Sequence, residues 1–238
     1  MPNMTTVLEL TNTQLIYPDG DGHVTALDHV NMKAESGQMI AVVGESGSGK
    51  SSLLSVAAGL LSPTSGSVRI AGMAFHDATE AQRCRIRRER IGIVFQQANL
   101  LGSLKVRDQL LITDHLRGLR GKALRQRHTH AEELLERVGL AGLGERKINQ
   151  LSGGQRQRVN IARALMGEPV LVLADEPTAS LDRQLSCEIV DLLRELTDDT
   201  GVATVMVTHD RSLLDAFDSV LEVRDGRVSV GSSRPLSR

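Results

Sequence analysis

The sequence predicts an α/β protein with a largely parallel central sheet, an antiparallel sheet near the N-terminus and an inserted helical region. Three observations carry this. Residues 39–43, 91–95, 170–174 and 203–207 are nearly continuously apolar, the pattern of strands covered on both faces, which is how parallel sheets are built. Residues 7–10, 15–17 and 26–32 instead alternate in part, the pattern of a half-exposed antiparallel sheet. Between residues 98 and 166 nothing reads as a strand, whereas Leu- and Ala-rich charged stretches free of proline read as helix.

Taken in order, the early strands lead into the apolar strand 39–43, and a helix over 51–61 follows it. The strand 91–95 precedes the helical region, where 121–138 and 155–166 are the clearest helices; Val159, Ala162, Leu165 and Met166 share one side of the second. Strand 170–174, helix 183–196 with its stripe of Ile189, Leu192, Leu193 and Leu196, and strand 203–207 complete the alternation. In SVLEVRDGRVSV, Asp225-Gly226 separates two strand-like runs as a hairpin turn. The terminal GSSRPLSR reads as a frayed tail. No repeat or long linker divides the chain, so one domain is expected, with a core over about 1–97 and 167–238 and a helical subdomain over about 98–166.

Composition narrows the function. The 238 residues are 40% hydrophobic and 24% charged, with 28 Lys+Arg against 29 Asp+Glu and a formal net charge of -1. That balance gives no electrostatic reason to expect a nucleic-acid partner. No apolar run approaches the ~20 residues of a membrane-spanning helix, and the first residues lack the basic-then-apolar pattern of a signal peptide. Cys84 and Cys187 have no framework or metal-type spacing, which suits reduced thiols.

Residues 44–51 read Gly44-Glu45-Ser46-Gly47-Ser48-Gly49-Lys50-Ser51, the pattern G-x-x-x-x-G-K-[ST] between a buried strand and a helix. The glycines let the backbone wrap tightly and aim N–H groups at phosphate oxygens, in line with the positive end of the next helix. Lys50 adds a point charge for the β/γ-phosphates and Ser51 a hydroxyl for Mg²⁺. Strand 170–174 ends in Asp175-Glu176. In a chain holding a phosphate loop, Asp175 is the expected Mg²⁺ partner and Glu176 can polarise the attacking water. These residues describe a nucleoside triphosphatase.

Leu151-Ser152-Gly153-Gly154-Gln155 opens the next helix, offering a hydroxyl, two flexible glycines and unpaired N–H groups. An ordinary serine cap has the same local form. In the order phosphate loop, LSGGQ, acidic strand end, the chain resembles the ATP-binding cassette (ABC) ATPases from about residue 7 to residue 228. The resemblance implies a P-loop NTPase (RecA-like) core with an N-terminal antiparallel β-subdomain and an inserted helical subdomain, and ATP with Mg²⁺ as ligands. It implies catalytic roles for Glu176, His209, Lys50 and Gln96, and metal contacts for Ser51, Gln96 and Asp175. Nucleotide contacts are implied for the loop from Gly44 to Ser52, including Ser52 where relatives usually have threonine, for Ser152 to Gln155, and for Asp182 of Ser180-Leu181-Asp182. Gln96 in IGIVFQQ is similar to the Q-loop glutamine, with Gln97 as the neighbouring alternative. His209 in VTHD is similar to the switch histidine, and Tyr17, the one tyrosine, to the aromatic that stacks on adenine.

In this family the signature of one subunit caps ATP on the phosphate loop of another, so a second copy of the chain is an implied partner. With no membrane span of its own, the chain is expected to power separate permease subunits at the cytoplasmic face of the cell membrane. GESGSGKSSLLSVAAGLLSPTSGSVRIAG, IGIVFQQANLL and LVLADEPTASLD are similar to the group serving macrolide-exporter, lipoprotein-release and cell-division permeases. Export or extraction of a lipoprotein, peptide, antibiotic or haem follows as the implied theme, and residues 96–120 as the groove for the permease. A regulatory or mechanical ATPase without transport, and a soluble ABC ATPase acting on nucleic acid or ribosomes, remain alternatives. The arginines at 83, 85, 87, 88 and 90 read as a solvated, salt-bridged helix face or a lipid-facing one. His128 and His130 read as exposed, and the methionines as core filler.

Overall fold

The computed structural model describes residues 5–20, 22–75, 78–116 and 118–231. The chain begins with β1 (Thr6–Asp19), β2 (Gly22–Glu35), β3 (Met39–Val43), α1 (Lys50–Ala57), β4 (Ser65–Ile70) and β5 (Met73–Ala74). It continues through α2 (Glu80–Arg90), β6 (Ile91–Val94), α3 (Val106–Leu116), α4 (Gly121–Arg137) and α5 (Gly153–Leu165). It closes with β7 (Leu171–Asp175), α6 (Arg183–Thr200), β8 (Ala203–Val207), β9 (Ser219–Arg224) and β10 (Arg227–Val230). From residue 232 onward the expected frayed tail lies outside the described residues.

The central sheet has the order β10-β9-β3-β8-β7-β6, parallel except for the β9–β10 hairpin. Every residue of β3 and β8 is buried, which explains their unbroken apolar runs. Alternate side chains serve two cores. Met39, Ala41, Val172, Ala174 and Met206 pack with α3, α4, α5 and α6 on one side. Ile40, Val42, Leu171, Leu173, Val205 and Val207 pack on the other side with α1 and a four-stranded antiparallel sheet of order β2-β1-β4-β5. Asp225 (φ 47°) and Gly226 (φ 74°) both take the left-handed conformation that a two-residue hairpin turn needs.

The structure departs from the sequence reading where polar residues hide a regular element. Strands expected over 7–10 and 15–17 are one strand, β1, because a bulge absorbs the polar residues between them. Register shifts bracket Thr13, Asn12 N–H donates to Asn31 Oδ1 at 2.9 Å, and the buried Thr13 hydroxyl donates to Ser67 O at 3.1 Å. Helix α2 shows no apolar stripe because only Ile86 is buried. A reciprocal Thr79–Gln82 capping box starts it, and Arg85–Glu89 (3.1 Å) and Arg87–Glu80 (2.7 Å) pair along its face. No helix of the described residues is long and apolar enough to cross a membrane.

Candidate functional site

Strand β3 delivers the chain into the loop of residues 44–49, and α1 starts at Lys50. Two glycines are dictated by what surrounds them. Gly49 has φ 112°, and a Cβ there would lie 2.5 Å from Ala26 O; Gly44 has φ 154° with the carbonyl of Val223 in the same way. The loop is thus wedged between β2 and β9, closer than any side chain permits. The β9–β10 turn secures it further, with Gly226 N–H donating to Ser48 O at 2.9 Å.

Beside the loop lies a cavity of about 650 Å³ lined by Gly44, residues 46–52, Glu176, His209, residues 24–26 of β2 and the Asp225-Gly226 turn. The Lys50 stem is buried, and its ammonium donates to Gly44 O (2.9 Å) and Glu45 O (2.5 Å). An ammonium has three protons, so one donor remains. Ser48 Oγ is buried with no hydrogen-bond partner among the described residues, an orphan that an oxygen-rich ligand would satisfy. Glu45 lines a smaller adjoining cavity of about 330 Å³.

The acidic wall comes from β7. Glu176 sits in the left-handed region (φ 44°), its N–H donating to Val207 O at 3.1 Å, and its Oε2 lies 3.4 Å from His209 Nδ1. Burial pushes the Asp175 carboxyl above its ordinary range; the neighbouring Glu176 charge adds to this and Lys50 opposes it. Asp175 itself lines neither cavity; its desolvated carboxylate beside Glu176, together with the Ser51 and Ser52 hydroxyls on the cavity wall, makes a donor set of the kind that suits a divalent cation such as Mg²⁺.

Gln96 and Gln97, both exposed, follow the end of β6, where Val94 pairs with Ala174. Neither lines the cavity. Tyr17, 36% exposed, pairs across the sheet with Val24, which does line it. Ser152 caps α5, which begins at Gly153 rather than at 155: Ser152 Oγ accepts from Gln155 N–H (3.2 Å) and Gln155 Oε1 from Ser152 N–H (3.0 Å). Gly154 is buried against Leu185, Leu181 approaches Gly153, and Asp182 caps α6 through Leu185 N–H (2.9 Å). Residues 152–155 and Asp182 line neither cavity. The structure therefore brings the phosphate loop, Glu176 and His209 together and leaves LSGGQ facing elsewhere. Sequence reasoning missed residues 24–26 and the Asp225-Gly226 turn as cavity walls; the turn was legible, its position under the loop was not.

The ABC transporter family model matches residues 27–179. An uncharacterized ABC transporter ATP-binding protein of Mycobacterium tuberculosis (strain ATCC 25618 / H37Rv) is 38% identical over 226 residues, 95% of this chain and 90% of that protein. The macrolide export ATP-binding/permease protein MacB of Rhodopseudomonas palustris is 42% identical over 221 residues, 93% of this chain but 33% of its own length. The dimeric structure of MJ0796, a bacterial ABC transporter cassette, superposes with a TM-score of 0.85 at 34% identity, covering 96% of this chain and all of that one. A structure of the same cassette in a post-hydrolysis state bound to ADP and Pi gives a TM-score of 0.83 at 35% identity, over 96% of this chain and 100% of that one.

Proposed function

The chain belongs to the ABC transporter ATP-binding family, and from that premise we propose that it hydrolyses ATP as one half of a nucleotide-sandwich dimer to drive a separate membrane permease. The observation that carries the sandwich is the separation of the two half-sites. The phosphate loop and Glu176 share one cavity, while the Ser152–Gly154 helix start lies outside it and so is free to close over nucleotide on a second copy. The dimeric MJ0796 structures support this arrangement.

In this reading the loop from Gly44 to Ser52 wraps the phosphates with its N–H groups, and the remaining donor of Lys50 meets the β/γ oxygens. Tyr17, at the cavity rim, offers its ring to adenine. Ser51 and Asp175, joined by Gln96 from beyond the end of β6, would hold Mg²⁺, which would neutralise charge on the phosphates. Glu176 takes the proton of the attacking water. His209, within reach of Glu176, orients it and contacts the γ-phosphate. The partner's half-site would be Ser152 to Gln155, and Asp182 would set the loop between the two. Residues 98–166 act as a helical subdomain around this core.

The MacB relatives, named for macrolide export, support an exporter-type permease; the lipoprotein-release and cell-division types, and extraction of an amphipathic substrate from the cytoplasmic face of the membrane, belong to the same proposal. The test is turnover per subunit on dilution. A rate per subunit that falls in proportion to concentration once dimers dissociate supports the reading; one that is independent of concentration in a monomer overturns it. Copurification with a multi-span membrane protein tests the permease.

A further inference from the structure

Helix α4 is held by its second half. Its buried residues are Ala131, Leu134 and Leu135, and nothing between Gly121 and His130 is buried. The unburied half carries charge of one sign. No Asp or Glu stands between Asp114 and Glu132, a stretch that holds Arg120, Lys122, Arg125 and Arg127. The whole chain has a formal net charge of -1, so this is a local excess and not the trace of a basic protein.

Geometry decides which of these cations are already spoken for. Arg127 is, reaching back to the buried Asp114 (2.9 Å), to Met166 O and to Glu168 (3.3 Å). Arg120, Lys122 and Arg125 are exposed and make no ion pair among the described residues; the Arg120 guanidinium donates to Leu119 O at 2.8 Å. The arginines of α2 differ. Arg85 and Arg88 share Glu89 (3.1 and 3.4 Å), and Arg87 holds Glu80 (2.7 Å). The richer run is thus largely neutralised by its own helix, whereas that of α4 is not.

Left alone, the arrangement is costly. Lys122 and Arg125 lie one turn apart, where like charges repel, and with Arg120 they crowd the positive end of the α4 dipole, whose first turn has no acidic residue. An anion from outside the chain offsets both penalties. Leu119 and Leu124, each half-buried, put apolar surface among the cations, a combination suited to the headgroup–acyl boundary of a bilayer. No Phe, Tyr or Trp stands between Phe95 and Phe217, so nucleic-acid bases would find nothing to stack on. The Lys122 and Arg125 side chains make no hydrogen bond among the described residues; unfixed cations suit a laterally mobile field of headgroups better than carboxylates set in one register.

We propose that the start of α4 is a docking surface for anionic lipid headgroups, with Arg120, Lys122 and Arg125 supplying charge and Leu119 and Leu124 apolar contact. It braces the helical subdomain against the membrane, beside the residues 96–120 expected to meet the permease. In that placement it rests on the permease-coupled reading above.

The test is flotation of the full chain, without nucleotide, on vesicles of phosphatidylcholine alone and of phosphatidylcholine mixed with phosphatidylserine. Each cation near an anionic surface strengthens binding about fivefold, so three give about a hundredfold. The parental chain should prefer the anionic vesicles by about that factor, and less so at high salt. Arg120→Gln with Lys122→Gln and Arg125→Gln should lose the preference. The charge-matched control on α2, Arg85→Gln with Arg88→Gln and Arg90→Gln, should stay within about threefold of the parent. Should the α4 triple variant not fold, Lys122→Gln alone decides, with an expected loss of about fivefold. Equal parental binding to both vesicles, parental binding by the α4 variant, or an equal loss in the α2 control overturns the proposal. So does a poly-glutamate peptide held as tightly as the vesicles through the same three residues, which would make the patch a site for an acidic protein. Flotation needs neither ATP nor a dimer, so a chain that stays monomeric in MgATP sinks the sandwich reading and leaves this result standing.

Discussion

Gly92→Ala is the perturbation whose size the structure sets most tightly. The added methyl carbon would lie 2.5 Å from Ala164 O and 3.1 Å from its carbonyl carbon, against an optimum near 3.5 Å or more for such contacts. The obstacle is helix backbone and cannot turn aside like a side chain, so α5 must retreat by about 1 Å. Overpacking of this kind costs about 1–3 kcal/mol, which in a domain of this size lowers Tm by about 3–10 °C. Thermal unfolding by circular dichroism is the assay, with Gly102→Ala as control, since a Cβ there meets nothing within 4 Å. Equal Tm values for the two variants would refute the close-approach argument.

Lys50→Ala removes the buried ammonium and should abolish ATP-driven dimerisation in a light-scattering titration; unimpaired dimers would reject its role. Asp175 gives a pH signature. Its folded-state pKa is raised, burial first and Glu176 second, so the folded protein holds that proton more tightly than the unfolded chain. The nucleotide-free protein should then lose stability as pH rises from the ordinary carboxylate range through the raised value. Asp175→Asn should flatten that loss, stabilise the apo protein at neutral pH and eliminate MgATP turnover; an unchanged pH–Tm curve would contradict it. Arg127 bonds the buried Asp114 (2.9 Å) and Met166 O, tying α4 to α3 and to the end of α5. Arg127→Met should cost about 3 kcal/mol in urea unfolding, as removing one partner of a buried pair does, and a loss below about 0.5 kcal/mol would make the tie ornamental.

The core strands were legible because their two-sided burial leaves unbroken apolar runs, as in residues 39–43 and 203–207. The phosphate loop and LSGGQ were legible because their chemistry fixes residue type and spacing together. Helix α2 was not, because an element that buries one side chain leaves no periodic trace. The polar 11–14 stretch of β1 mimicked a turn because a bulge hides its hydrogen bonds. The cavity walls from residues 24–26 and 225–226 were invisible for another reason: they meet the loop only through long-range packing. The family likeness spans nearly the whole chain, 95% of it against the mycobacterial relative.

In the proposed dimer, nucleotide held by one subunit is closed over by another's Ser152–Gly154 helix start. Sedimentation of Glu176→Gln with and without MgATP tests it directly, beside the same chain also carrying Ser152→Arg. Glu176→Gln is expected to give a MgATP-dependent dimer, and a nucleotide-bound monomer once Ser152→Arg is added. A dimer that survives Ser152→Arg, or a Glu176→Gln chain that stays monomeric in saturating MgATP, would contradict it.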